Sequence, residues 1–127
     1  EVVERQRKIL VVEDTETIAA SIAFVLSEGP YEISLAHDGQ DAFHKLQRKT
    51  FDLILSDVEM PSMDGFELLT QVKKDPELQS IPFVMLTSRD DEEDHARAIS
   101  LGAVAYLIKG DVGSEKLQQV VSSLLGV

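Results

Sequence analysis

The sequence predicts one α/β domain with a doubly wound, five-stranded parallel sheet. Its length of 127 residues suits a single domain. Each of five apolar runs is followed by a stretch with the periodicity of an amphipathic helix. Strands that alternate with helices form parallel sheets with right-handed crossovers and helices on both faces. We therefore expect a (βα)5 domain over residues 8–127, preceded at 1–7 by a charged tether or an artificial terminus.

Four of the five strand candidates are continuous apolar runs, as expected for strands that are buried on both faces. These runs are 9–12, 53–55, 83–86 and 105–108. The segment 32–36 alternates between apolar and polar residues instead. That pattern favours an edge strand with one wetter face.

An apolar stripe at helical spacing follows each predicted strand. In chain order the stripes are Ile18, Ile22, Val25 and Leu26; Ala42, Phe43 and Leu46; Phe66, Leu69 and Val72; Ala96 and Ile99, extended to Ala103; and Leu117, Val120, Val121, Leu124 and Leu125. Gly29-Pro30 should end the first helix. The third helix should begin at an Asp64-x-x-Glu67 cap and stop before Pro76, and Ser114 should cap the fifth.

Chemically active side chains follow four of the five predicted strands. Glu13 and Asp14 follow the first strand, Asp57 the third, Thr87 the fourth and Lys109 the fifth. The carboxyl ends of parallel strands meet at one edge of the sheet, where open α/β folds bind their ligands. We therefore expect these five side chains to form one site.

Three carboxylates at one site repel each other, and a divalent cation would relieve that repulsion. Mg²⁺ prefers hard oxygen ligands, and Glu13, Asp14 and Asp57 supply them, with the backbone carbonyl of Glu59 as a further ligand. The chain has no cysteine and the set has no imidazole, which disfavours zinc and copper. The sequence therefore predicts a magnesium site.

A metal beside a carboxylate, a lysine and a hydroxyl indicates phosphoryl chemistry. Asp57 would act as the nucleophile, since aspartate can form acyl phosphates. Mg²⁺ and Lys109 would neutralise the phosphoryl oxygens, and Thr87 would donate a hydrogen bond to them.

Four segments together resemble the response-regulator receiver family over roughly residues 8–125. They are Val11-Val12-Glu13-Asp14, Leu55-Ser56-Asp57-Val58-Glu59-Met60-Pro61-Ser62-Met63-Asp64-Gly65, Leu86-Thr87-Ser88, and Gly102-Ala103 with Tyr106-Leu107-Ile108-Lys109. The resemblance implies a flavodoxin-like fold with strand order 2-1-3-4-5, of which receivers are a standard example. It also implies that Asp57 is the phosphoacceptor, that Glu13 and Asp14 hold Mg²⁺, and that Thr87 and Lys109 sense the phosphoryl group.

Three further residues have roles implied by the same resemblance. Tyr106 corresponds to an aromatic switch that turns inward on phosphorylation, although an ordinary core tyrosine is an equal alternative. Glu59 and Arg89 occupy positions that influence hydrolysis of the acyl phosphate, and an ion pair between them would gate the attacking water. The alternative for Arg89 is a side chain that points to solvent.

Two residues depart from the family pattern. Glu13 stands where Asp is more common, which should tune the metal site rather than remove it. Gly110 stands where the family usually has a proline after the lysine, joined through a cis bond. A cis bond before a residue other than proline costs about 2.5–4 kcal/mol, so the Lys109–Gly110 bond is expected to be either trans or cis and strained.

Composition limits the partners. The net charge of -11 disfavours binding of nucleic acid, no apolar run could span a membrane, and the lack of cysteine fits a cytoplasmic location. The expected phosphodonor is a histidine kinase or a phosphotransfer domain. The segment Tyr106-Leu107-Ile108-Lys109-Gly110-Asp111 and the start at Glu1 rather than Met favour a receiver fused behind a chemotaxis-type hybrid histidine kinase.

The sequence leaves two alternative functions open. The first is a receiver fold that signals through protein contacts without phosphorylation. The second is an aspartyl-phosphatase, although Glu59 stands where that enzyme motif needs aspartate. An FMN site is disfavoured because Glu13 and Asp14 would repel the phosphate. If phosphorylated, the domain should act mainly as a switch that catalyses its own phosphorylation and dephosphorylation.

The acidic run 90–94 is expected to be a solvated helix start, with a docking role as the alternative. The histidines His37, His44 and His95 suggest no function.

Overall fold

The computed structural model describes residues 6–88, 90–110 and 114–127 of the chain. Strands and helices alternate through the described residues, as the sequence predicts. The elements are β1 Arg7–Val12, α1 Glu16–Leu26, β2 Tyr31–Ala36, α2 Gly39–Arg48, β3 Leu53–Ser56, α3 Gly65–Lys74, β4 Phe83–Thr87, α4 Glu92–Leu101, β5 Ala105–Ile108 and α5 Ser114–Leu125. Arg7 is the first residue of β1, so the strand begins one residue inside the segment predicted to be a tether.

The five strands form one parallel sheet in the order β2-β1-β3-β4-β5. This order confirms the predicted fold, and β2 is an edge strand as its alternating pattern indicated. Val12 of β1 pairs with Ala36 of β2 on one side and with Ser56 of β3 on the other. The carboxyl ends of the three strands therefore lie level, and the residues that follow them meet at one edge.

The sheet divides the core into two apolar layers, because side chains alternate between its faces. One layer lies under α2, α3 and α4 and contains Leu10, Ile54, Phe83 and Met85 from the strands. The other lies under α1 and α5 and contains Ile9, Val11, Leu53, Leu55 and Val84. The central strands are thus buried on both faces, which explains their continuous apolar sequences.

Side-chain caps fix the starts of α2, α3 and α4. The Asp64 carboxylate accepts a hydrogen bond from the Glu67 amide at 2.8 Å, which confirms the predicted cap of α3. Asp38 caps α2 and Asp91 caps α4 in the same way. Helix α3 ends at Lys74, before Pro76, as predicted. Helix α5 begins at Ser114, but the side chain of Ser114 lies outside what the structure describes, so its capping role stays a prediction.

The predicted apolar stripe of α4 was wrong. The buried residues of this helix are Asp94 and Ala98, whereas Ala96 and Ile99 are exposed. Ala103 is buried but lies beyond the helix, which ends at Leu101 because Gly102 adopts a left-handed φ of 112°. The short, charged sequence of α4 offers few large apolar residues, so periodicity alone did not identify the face that packs on the sheet.

No cis peptide bond occurs within the described residues, so the Lys109–Gly110 bond is trans. None of the helices in the described ranges is long and apolar enough to cross a bilayer.

Candidate functional site

The sheet brings the predicted site residues to its carboxyl edge. The Asp57 amide donates to the Val12 carbonyl at 3.0 Å, and the Glu13 amide donates to the Ala36 carbonyl at 2.9 Å. These bonds continue the ladder beyond the strands and lock Glu13 and Asp57 side by side. The Lys109 amide donates to the Thr87 carbonyl at 2.7 Å, which fixes the other half of the edge.

Glu13, Asp14 and Asp57 form a carboxylate cluster. One carboxylate oxygen from each lies within 4.8 Å of the other two. Glu13 is only 3% exposed and Asp57 8%, whereas Asp14 is open to solvent. The cluster therefore has two buried members and one that faces the entrance.

Lys109 provides a positive charge next to this cluster. Its Nζ donates a hydrogen bond to Glu13 Oε1 and lies 3.3 Å from Asp57 Oδ2. Glu13 Oε2 also accepts from the Thr15 amide at 3.2 Å. One ammonium group is thus shared by two buried carboxylates.

The electrostatic balance of the cluster disfavours its negative charges. Burial raises the pKa of Glu13 above its ordinary value; the hydrogen bond from Lys109 opposes this rise and the charge of Asp57 adds to it. Burial also raises the pKa of Asp57, against the opposing positive charge of Lys109, while Asp14 contributes a smaller rise. Lys109 therefore does not compensate fully for the desolvation of the carboxylates.

The loop after β3 orients Asp57 through its backbone. Asp57 Oδ1 accepts a hydrogen bond from the Val58 amide at 2.8 Å, and the Val58 carbonyl accepts one from the Gly65 amide at 2.8 Å. A β-carbon at Gly65 would lie 2.2 Å from the Asp57 carbonyl oxygen, so this position requires glycine. Ser62, inside the loop, has a left-handed φ of 69°. The Met-Pro-Ser-Met-Asp-Gly segment thus packs α3 directly against the phosphoacceptor candidate.

Thr87 and Tyr106 connect the edge to the core. Thr87 is the last residue of β4 and is buried. Strand β4 pairs with β3, with Met85 opposite Ser56, so Thr87 lies on the strand next to the one that Asp57 follows. Tyr106 of β5 is 9% exposed and belongs to the core layer under α4. Its ring stacks on the ring of His95, with centroids 5.0 Å apart and an interplanar angle of 14°.

Sequence reasoning gave His95 no role, since its spacing to the other histidines and to the acidic residues carries no pattern. No local sequence signal would have found it, because the stack joins a helix to a strand and the burial of its neighbour Asp94 is visible only in the folded structure. Arg97, also on α4, lies over the Phe66 ring at 4.1 Å from its centroid and was missed for the same reason.

Of the two residues predicted to gate the site, Glu59 and Arg89, the structure describes Glu59. Glu59 is exposed and lines a concavity of about 560 Å³ together with Asp14 and Arg97. Arg89 lies outside the described residues, so the ion pair across the mouth stays a prediction.

The carboxylate cluster has the ligand chemistry of a site for a hard divalent cation. Its donors are oxygens, two of them are desolvated, and one faces solvent, as suits an ion that keeps some of its water. The residues present therefore fit Mg²⁺.

Comparison with known proteins gives one consistent family. The family model described as the response regulator receiver domain matches residues 9–122. The gliding motility regulatory protein of Myxococcus xanthus is 37% identical over 120 residues, which cover 94% of this chain and 15% of that protein. The chemotaxis protein CheV3 of Helicobacter pylori is 36% identical over 128 residues, which cover 93% of this chain and 40% of that protein. The chain therefore spans less than half the length of these two relatives.

Solved structures with the same fold include receivers with bound metal. The receiver domain of a signal transduction histidine kinase from Syntrophus aciditrophicus has a TM-score of 0.87 at 35% identity, covering 94% of this chain and 90% of that one. The receiver domain of a sensor histidine kinase from Pseudomonas aeruginosa, solved with a magnesium ion in its active-site cleft, has a TM-score of 0.86 at 26% identity, covering 95% and 98%. The manganese-bound form of the response regulator Rcp1 has a TM-score of 0.82 at 30% identity, covering 94% of both chains.

Proposed function

This chain belongs to the response regulator receiver family, and we propose that its Asp57 carboxylate accepts a phosphoryl group from a histidine kinase or a phosphotransfer domain. Receiver domains of two-component systems accept phosphoryl groups from histidine kinases. The observation that carries the proposal for Asp57 is its setting: a buried carboxylate held by the Val58 amide, next to Lys109 and to two further carboxylates. The receiver was predicted over residues 8–127, and we extend it to Arg7, the first residue of β1.

In the proposed step, an oxygen of Asp57 attacks the phosphorus of a phosphohistidine. A P–O bond forms to Asp57, the P–N bond breaks, and the imidazole nitrogen leaves with the electron pair of that bond. The Val58 amide, at 2.8 Å from Asp57 Oδ1, fixes the orientation of the nucleophile. Lys109 puts a positive charge beside the oxygens of the transferred group, and Thr87 donates a hydrogen bond to one of them.

We also propose that Glu13, Asp14 and Asp57 hold Mg²⁺, with the backbone carbonyl of Glu59 as a fourth protein ligand. When bound, the ion supplies positive charge to the phosphoryl oxygens. The raised pKa of Glu13 and of Asp57 supports this proposal, because Lys109 leaves part of their negative charge uncompensated. Glu13, one methylene longer than aspartate, keeps an oxygen within 4.8 Å of the ligand oxygens of both other carboxylates.

The test of the phosphoacceptor is covalent labelling by phosphoramidate in the presence of Mg²⁺. Intact mass should increase by one phosphoryl group, and peptide mapping should assign it to Asp57. Asp57→Asn should abolish the label. Asp64→Asn is the matched control, because it removes a carboxylate from the same loop while keeping a side-chain cap on α3. Label on another residue, or full label in Asp57→Asn, would overturn the assignment.

Lys109 should sense the phosphoryl group more than it promotes its transfer. Lys109→Ala should therefore retain part of the label but lose most of the conformational response. A variant that responds normally would remove Lys109 from the switch.

The lifetime of the acyl phosphate should depend on residues 59 and 89. We propose that Arg89 pairs with Glu59 and limits the in-line approach of water. An exposed pair is worth about 0–1 kcal/mol in stability, so Arg89→Ala should speed dephosphorylation severalfold with little change in melting temperature. Equal decay rates in the two proteins would retire the gate.

The larger protein in which this receiver works is proposed to be a chemotaxis-type hybrid histidine kinase, with the kinase core on the N-terminal side. Two structural neighbours are receivers of histidine kinases, and one relative is a chemotaxis protein. The coding sequence upstream of Glu1 tests this, since a kinase core there would support the fusion and its absence would refute it. A cytoplasmic location stays a prediction of the cysteine-free sequence.

A further inference from the structure

The contact between α4 and β5 is narrow. Among the residues of α4 only Ala98 and Asp94 are buried, and alanine is too short to reach far across the sheet. Of its two large aliphatic residues, Leu101 at the end of the helix is half-buried against this core layer, and Ile99 is 45% exposed. The helix therefore rests on the sheet with few large side chains between them.

The ring stack between His95 and Tyr106 lies within this contact. Tyr106 is opposite Met85 in the register of β4 and β5 and is buried in the core layer. The His95 ring covers one face of the tyrosine, nearly parallel to it, while His95 itself remains exposed. Offset, parallel stacking is a favourable arrangement of two aromatic rings. An outward rotation of the tyrosine ring would have to break this stack.

We propose that His95 is a positioning residue that holds Tyr106 inward before phosphorylation and so sets how far the ring can respond to Asp57. This proposal rests on the proposed function of Asp57 and on the role of aromatic switch that the family resemblance implies for Tyr106. Its geometric part, however, concerns the unphosphorylated protein. In this role His95 acts through the ring of Tyr106.

Fluorine NMR on protein that contains 3-fluorotyrosine can test this directly. The chain has two tyrosines, so the spectrum has two signals, and Tyr31→Phe assigns them. Tyr31 is an internal reference, because its hydroxyl donates to the Val127 carbonyl, and its ring packs in the α1–α5 layer, on the opposite face of the sheet from Tyr106. A soluble paramagnetic agent then measures how exposed each ring is.

In His95→Ala the paramagnetic broadening of the Tyr106 signal should increase severalfold while that of Tyr31 stays constant. His95→Phe should restore the wild-type value, because a phenyl ring can stack in the same place. His44→Ala, the same change at an exposed position of α2, should leave both signals unchanged. An unchanged Tyr106 signal in His95→Ala, or equal exposure in the Ala and Phe variants, would overturn the proposal.

Phosphoramidate labelling of the same samples separates the two hypotheses. On labelling, the Tyr106 signal of His95→Ala should move further than that of the wild type, whose ring already lies inward. Equal movement in both would refute the claim that His95 limits the response. If Asp57 takes no label in any variant, the proposed function fails, and the unlabelled spectra still decide whether His95 holds Tyr106.

Discussion

Helices α3 and α4 have the same length of ten residues and begin with the same kind of aspartate cap, yet the sheet holds them very differently. Helix α3 buries Phe66, Leu68, Leu69 and Val72 almost completely, whereas α4 buries only Ala98 and Asp94. Fully burying a large apolar side chain contributes about 1.5–3 kcal/mol, so tertiary packing rather than local helix formation separates the two. The firmly packed helix backs the loop that orients Asp57, and the loosely packed one covers Tyr106.

This difference suits a switch. A nucleophile must keep its geometry, and the backbone contacts of Gly65 tie Asp57 to α3. An element that responds to phosphorylation must instead move at low cost, as elements with few buried apolar contacts do. The following predictions test this contrast, from the largest expected effect to the smallest.

Truncation of a core residue should cost far more in α3 than in α4. Leu69→Ala removes a fully buried side chain and should lower the free energy of unfolding by about 2–5 kcal/mol. Ile99→Ala in α4, at a residue that is 45% exposed, should cost about 0.5 kcal/mol or less. Urea unfolding of both variants measures this, and similar costs would break the contrast between the helices.

A methyl group at Gly65 should disturb the nucleophile and the fold together. Gly65→Ala would put a β-carbon 2.2 Å from the Asp57 carbonyl oxygen, and overpacking of this kind costs about 1–3 kcal/mol. Labelling by phosphoramidate should fall as well. Gly110→Ala is the matched control, since its β-carbon would meet nothing within 4 Å. If both variants label and unfold like the wild type, Gly65 does not tie α3 to Asp57.

Magnesium should stabilise the protein by binding to the carboxylate cluster of Glu13, Asp14 and Asp57. A ligand at a hundred times its Kd contributes about 2.7 kcal/mol, so millimolar Mg²⁺ should raise Tm. Asp14→Asn should reduce this rise. Without metal, Asp57→Asn should raise the free energy of unfolding, because it removes one of the two buried carboxylate charges that share the single ammonium group of Lys109. Glu32→Gln, at an exposed residue of β2, controls for loss of one charge, and no response to Mg²⁺ in the wild type would contradict the site.

The two helix caps should differ in how far their loss spreads. Asp64→Ala and Asp91→Ala each remove an acceptor for a first-turn amide, at 2.8 and 2.9 Å, and caps are worth about 0.5–2 kcal/mol. Loss of the Asp64 cap should lower global stability, because α3 is part of the core. Loss of the Asp91 cap should appear mainly as faster amide exchange in α4. Global destabilisation of equal size in both would show that α4 is held as firmly as α3.

The sequence predicted the parts of the molecule that depend on simple patterns. Continuous apolar runs marked the buried strands, and the residues directly after them identified Glu13, Asp14, Asp57 and Lys109 as neighbours. These predictions succeeded because the ends of parallel strands must meet at one edge. The strand order itself came from the family resemblance.

Sequence patterns failed where contacts between distant elements decide the structure. The packed face of α4 could not be read from Ala96 and Ile99, because the helix seats the small Ala98 and the carboxylate Asp94 on the sheet instead. The stack of His95 on Tyr106 joins a helix to a strand, and no local spacing encodes it. The contacts of Lys109 with both Glu13 and Asp57 likewise join residues that follow three different strands.

Hydrogen exchange before and after labelling of Asp57 tests the central claim most directly. Mass spectrometry would follow the wild type, with and without phosphoramidate and Mg²⁺, alongside Asp57→Asn under the same conditions. We predict that labelling changes amide protection in α4 and β5 and leaves α3 as protected as before, with no change in Asp57→Asn. Equal changes in α3 and α4, or the same changes in Asp57→Asn, would contradict the account.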